Sequence, residues 1–154
     1  NNKPVPGRYS HIDTIPTLLD VMGLDVPDHL QGTSKAPQLA NGETLEENDI
    51  FLDWNGRSID LKFPMSELER MREIPHRCIV SGDGWKLNLS VGDQNELYDL
   101  NTDPFEQVNL FDDPKYSDKV VELAMKIRQW QLETNDTALL PDVFPGAGHV
   151  KSMR

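Results

Sequence analysis

A chain of 154 residues suffices for one compact domain, or for a domain with an appendage. Its net charge of −11 repels phosphate backbones and anionic lipid, so nucleic acid and membrane surfaces are excluded as expected partners. No apolar run approaches a membrane span, and the single cysteine, Cys78, excludes an internal disulfide, a zinc cluster and a CxxC redox pair.

The chain opens at Asn1 without a basic start and an apolar run, so no signal peptide is visible, and it reads as excised from something longer. Residues 1–12 are polar and read as extended. In 13–22, Ile15, Leu18, Leu19 and Met22 fall at i, i+3, i+4 and i+7, which predicts a short helix with one apolar face. Asp13 is placed to cap it, Pro16 sits in the first turn, Gly23 ends it and Pro27 prevents a restart. Residues 25–49 read as a long surface connection with a boundary near Gly42–Asn48. A strand is expected at 50–54, then irregular chain with a charged helix at Ser66–Glu73.

The clearest section follows. A strand over 77–81 leads into the turn Gly82-Asp83-Gly84. Trp85, Leu87, Leu89 and Val91 then alternate with Lys86, Asn88 and Ser90, so one face is buried and the other wet. Gly92-Asp93 turns the chain again into a strand at 96–100. The longest helix is expected at 114–134, with Val120, Leu123, Ala124, Ile127 and Trp130 as its apolar stripe and Glu122–Lys126 as an i, i+4 pair. The fold class is α+β: an antiparallel sheet of about four strands packed on one long C-terminal helix. The tail, 135–154, reads as irregular.

The stretch ELYDLNTDPFEQVNL, residues 96–110, is dense in acids. Asp99, Asn101 and Asp103 have the spacing that begins a calcium loop, but that loop then needs Gly at its sixth place and Glu at its twelfth. Pro104 and Leu110 stand there, so calcium is not expected. Asp103, Pro104 and Glu106 instead fit an N-cap, a first-turn proline and the reciprocal acid of a capping box. Cys78 lies inside a predicted strand and reads as a buried structural cysteine. His11, His29, His76 and His149 are scattered, without metal-site spacing, and no G-x-S-x-G or phosphate loop appears. Trp54, Asn55, Arg57, His76 and Arg77 flank strand ends, where binding residues tend to sit, and the two arginines have the chemistry to hold an anion. The other reading is that Trp54 packs in the core and the arginines are solvated or ion-paired with the many acids, since most surface charges have no specific task. Residue chemistry alone gives a scaffold and no catalytic engine.

Three pieces in series resemble the C-terminal part of the sulfatase family, in the alkaline-phosphatase-like superfamily. YSHIDTIPTLLDVMGLDVP (9–27) is similar to a family helix near the end of the catalytic domain. Gly32-Thr33-Ser34 with Pro37, Leu39 and Gly42 resembles the segment after it. DGWKLNLS followed by NELYDLNTDPFEQVNL resembles the family's closing motif.

The resemblance implies that residues 1–45 end an α/β catalytic domain, that 46–134 form the small C-terminal subdomain, and that 135–154 are a tail. It implies a parent that hydrolyses sulfate esters with a formylglycine and calcium, from a family often exported to periplasm, exterior or lysosome. No C/S-x-P-S-R and no D-H-G occur in this sequence, so no catalytic or metal residue is carried over, and the chain by itself is expected to be inert. The expected partners are an upstream catalytic domain of the same protein and a sulfated small molecule or sugar, with self-association of the isolated chain. Trp54, Asn55, Arg57, His76 and Arg77 become candidates for one wall of the substrate cleft. Two other readings stay open: a phosphonate or phosphate monoester hydrolase of the same superfamily, and a non-catalytic interaction or oligomerisation module.

Overall fold

The computed structural model describes residues 4–45, 48–55 and 74–143; Arg57, His149 and the helix expected at 66–73 lie outside them. Contacts divide the chain into two units, Asn1–Ile50 with Ser81–Asp83, and Phe51–Val80 with Gly84–Arg154.

In the first unit a 3-10 turn, His11–Asp13, runs directly into helix α1, Thr14–Val21. The helix stops where expected. Gly23 takes φ +71, and the N–H groups of Gly23 and Leu24 return to the carbonyls of Asp20 and Leu19. The capping role expected of Asp13 is not observed. Its backbone is already helical (φ −76, ψ −12), whereas a capping side chain needs extended backbone to reach the first-turn N–H groups. The buried carboxylate instead accepts Thr33 N–H at 2.8 Å and stands 3.9 Å from Lys35 Nζ. Thr17 Oγ1 donates to Asp13 O at 2.6 Å and accepts Lys35 N–H at 3.0 Å. At Gly32 the chains are so close that a Cβ would lie 2.0 Å from the Ile12 carbonyl oxygen.

Residues 36–41, read as part of a connection, form helix α2, Ala36–Asn41. Its start and stop signals, Pro37 and Gly42, stand in the sequence, but it buries no residue and so shows no apolar periodicity. The turn Ser81–Asp83 is tied in the same unit: Arg8 Nη1 donates to Gly82 O and Gly82 N–H donates to Asp49 Oδ1, both at 2.8 Å.

In the second unit the strands β1 (Ile50–Trp54), β2 (His76–Val80), β3 (Trp85–Ser90) and β4 (Glu96–Asp99) lie in the order β1-β2-β3-β4. Strands β2, β3 and β4 are antiparallel, and Ile79, Leu87 and Leu97 stand opposite one another in one row. All three are fully buried, and that face is covered by helix α3, Ser117–Thr134, through Val120, Leu123, Ala124 and Ile127. This is the α+β arrangement that the alternation and the helical stripe dictate. Each fully buried aliphatic side chain in that row contributes about 1.5–3 kcal/mol. Trp130 stacks on Phe51 with ring centres 5.5 Å apart and planes 2° from parallel. Val91 falls outside β3 and is exposed, because the strand ends at Ser90. Glu122 accepts from Lys119 at 2.6 Å, one turn before it on the helix. Residues 135–143 carry no helix or strand, yet they are docked: Leu140 is buried in the core and Val143 packs against it.

Candidate functional site

The ends of β1 and β2 meet at Arg77. On β2, Arg77 and Ile79 share the core face, so the guanidinium is carried inward rather than to water. Only 1% of Arg77 is exposed. A buried charge persists only if it is paired and all its donors are satisfied. Here all five N–H groups are. Nε donates to Asp136 Oδ2 at 2.7 Å and Nη2 to Asp136 Oδ1 at 2.6 Å, a bidentate pair. Nη1 donates to the carbonyls of Trp54 (3.2 Å) and His76 (2.8 Å), and Nη2 also donates to Asn55 Oδ1 (2.6 Å).

Asp136 reaches this position because α3 ends at Asn135 in the left-handed conformation (φ 54), with Asp136 N–H returning to Gln131 O at 2.8 Å. Gln131 Nε2 donates to Asp136 Oδ2 at 2.8 Å and to Ala138 O at 2.9 Å, which fixes the turn from the helix side. Hydrogen bonding from Arg77 above all holds the Asp136 carboxyl well below the usual carboxylate range, and Asp136 in turn raises Arg77.

The structure brings together four of the five sequence candidates, in different roles. Arg77 is a buried strut whose N–H groups are all committed within the chain, so it has none to offer an anion. The physical reason is strand alternation, which places residue 77 on the core face beside Ile79. Asn55 accepts from Arg77 and donates to Asp53 Oδ2 at 3.0 Å. His76 is half-buried, and Trp54 leaves 53% of its surface exposed. Sequence reasoning missed Asp136 and Gln131. The helix stop at Asn135 was legible in principle, but nothing local links Asp136 to a partner 59 residues away.

The acidic stretch is a turn and not a helix start. Glu106 takes φ 55, which reverses the chain where a capping box would continue it. Its carboxylate pairs with Lys86 at 2.5 Å instead of reaching the cap N–H. Pro104 lies in the turn closed by Glu106 N–H on Asp103 O. Asp103 Oδ2 accepts from the N–H groups of Gln107 and Val108 at 2.8 and 2.9 Å, so it does cap, one residue later than expected and without a helix. The reversal lets Leu110 N–H donate to Leu97 O and Asn109 Oδ1 accept from Leu97 N–H, which covers the outer edge of β4. Gly84, at φ +93, leaves room for the Asn101 side chain, which a Cβ there would meet at 2.3 Å.

These residues do not fit a calcium ion or a formylglycine. Asp99 Oδ1 accepts from Asn101 and Oδ2 from Thr102, and among the described residues no group of three His, Cys, Asp or Glu converges on a metal position. Cys78 is half-buried on the sheet face opposite the helix rather than in the core, and desolvation pushes its thiol up to about 11.

Over residues 6–133 the chain matches the family model described as N-sulphoglucosamine sulphohydrolase, C-terminal, and it belongs to that family of C-terminal sulfatase domains. It is 27% identical, over 89% of its length, to the ulvan-active sulfatase of Formosa agariphila, of which it covers 27%. The solved structure of BT4656 in complex with its substrate D-glucosamine-2-N,6-O-disulfate matches 81% of the chain, with 27% identity and a TM-score of 0.62, over 24% of that chain. The phosphonate monoester hydrolase of Agrobacterium radiobacter matches 79%, with 29% identity and a TM-score of 0.60, over 24% of its own length. The chain thus spans about a quarter of the proteins it matches.

Proposed function

We propose that this chain is the closing part of a sulfate-ester hydrolase acting on sulfated sugars, and that it builds rather than powers the active site. Residues 46–134 form the small subdomain, 1–45 belong to the end of the catalytic domain, and 135–154 are the tail. The single observation that carries the reading is α1. Its polar side, Asp13 and Thr17, is buried, while Ile15, Leu18 and Met22 are exposed, Met22 by 68%. A helix turned apolar side out is built to be covered by more protein. A self-sufficient interaction module would bury that face within itself, so the feature favours a larger parent over the module. In the isolated chain the same face promotes self-association.

Nucleophile and metal ligands then belong to the rest of the parent, where a formylglycine would supply the nucleophile and calcium would supply positive charge for the sulfate. The parent belongs to an often exported family. Specificity for a sulfated sugar draws on the glucosamine disulfate bound by BT4656; likeness to a phosphonate monoester hydrolase supports phosphonate or phosphate monoesters as the second reading. The test is to assay the longest natural protein that carries this segment, beside the 154-residue chain, for release of sulfate from N- and O-sulfated glucosamine and for cleavage of a phosphonate monoester. Sulfate release by the long form alone is expected. Preference for the phosphonate establishes the second reading, and activity in the short form refutes the division of labour.

A further inference from the structure

Past the matched residues 6–133 the chain continues as a strap, 135–143, with no helix or strand of its own. Side chains hold it in place. From α3, Arg128 Nη2 donates to Leu140 O at 3.2 Å and Gln131 Nε2 to Ala138 O at 2.9 Å. Arg128 Nη1 also donates to Gln131 Oε1 at 3.2 Å, so the two residues brace each other along one helix face. Leu139 is exposed, while Leu140 is buried in the core between the sheet and α3. The remaining attachment is Asp136. Its two oxygens take the Arg77 fork, and Oδ1 also accepts Ala138 N–H at 3.3 Å. The same guanidinium holds a second piece of chain: its other bonds go to the carbonyls of Trp54 and His76 and to Asn55 Oδ1, where β1 ends and β2 begins. An arginine cannot lose its proton to become neutral. A strap that lifts and carries Asp136 away leaves that charge buried and unpaired, which costs more than turning it out to water. The guanidinium then swings out and gives up Trp54 and Asn55 as well.

We propose that residues 135–143 are a clasp: the strap and the end of β1 open and close as one unit, and Arg77 is the positioning residue that couples them. Whatever lifts the strap loosens the backbone at Trp54 and Asn55. Whatever fixes the end of β1 tightens the strap by the same factor, because a coupling free energy between two sites is reciprocal. The clasp is the same whichever ester the parent cleaves.

The experiment is hydrogen exchange read by NMR on the 154-residue chain. Asp136 N–H, bonded to Gln131 O, reports the strap, Arg77 Nε–H reports the clasp, and Leu87 N–H, in the middle of β3, reports opening of the sheet. In the wild type, Asp136 N–H and Arg77 Nε–H should share one protection factor below that of Leu87, as members of a unit that opens before the sheet does. Arg128→Met removes a strap donor and leaves Arg77, Asp136 and β1 as they are. It should lower both protections by one common factor, roughly two- to tenfold, the scale of one lost hydrogen bond. Asn55→Ala, at the other end, should lower the protection of Asp136 N–H by the same factor as that of Arg77 Nε–H. Should Arg128→Met leave the strap unmoved, Asp136→Asn decides, since it weakens the fork directly and should free strap and guanidinium together. The clasp is overturned by an Arg77 Nε–H that keeps its protection while the strap loses its own, by a strap indifferent to Asn55→Ala, or by an Asp136→Asn protein in which the guanidinium alone is freed. A wild-type pair as well protected as Leu87 overturns it too, because strap and β1 end would then open only with the whole sheet.

Discussion

The α3 end of the sheet and helix α1 treat their side chains in opposite ways. Around Arg77 every polar group that the sheet buries has found a partner, down to the fifth N–H of one guanidinium. Around α1 the hydrogen bonds of Asp13 and Thr17 are equally complete, but the apolar side chains face out. The first region is finished by its own sequence. The second is finished on its polar side only. A satisfied set of hydrogen bonds and a buried apolar face are therefore separate facts, and the difference between them suits a chain that more protein covers.

The sharpest way to break the contrast is Asp136→Ala, which leaves the Arg77 charge buried and unpaired. Urea unfolding should show a loss of about 3–5 kcal/mol. The same pair gives a pH signature. Asp136 is depressed in the folded state, so its contribution is complete above the unfolded carboxylate value near 3.8 and is lost as pH falls below it. Wild-type stability relative to Asp136→Asn should thus stay level from neutrality down to that point and converge under stronger acid.

Core and α1 can be compared directly. Leu123→Ala, in the buried stripe of α3, should cost about 2–5 kcal/mol. Asp103→Ala leaves the N–H groups of Gln107 and Val108 without their acceptor and should cost about 1 kcal/mol, with calcium making no difference. Leu18→Ala is the opposite extreme: in the 154-residue chain it should change stability by less than about 0.5 kcal/mol, as exposed positions do. A large loss there would mean that the α1 face is already covered.

Much of this architecture could be read from the residues. Period-two alternation gave β3, the 3.6-residue stripe gave α3, and Gly23 gave the end of α1. Those signals are local and repeat within a few residues. The failures are non-local or marginal. For Arg77 the reading of an ion pair with one of the many acids holds, but nothing near it in sequence announces that the partner is Asp136 or that the pair is buried. Asp13 reads as a cap because a helix start is recognisable in sequence, whereas the approach of Thr33 is not. Glu106 fitted a capping box by spacing, yet the return of Asn109 and Leu110 to β4 requires reversal there. Six-residue α2 buries nothing and so left no pattern.

The most direct test of the account is hydrogen exchange across residues 12–26, compared between the 154-residue chain at high dilution and the longest natural protein that carries it. The account predicts strong protection of α1 in the long form and fast exchange in the short one, with β2, β3, β4 and α3 protected alike in both. Equal exchange of α1 in the two forms would contradict it, because the outward apolar face would then have no partner to meet.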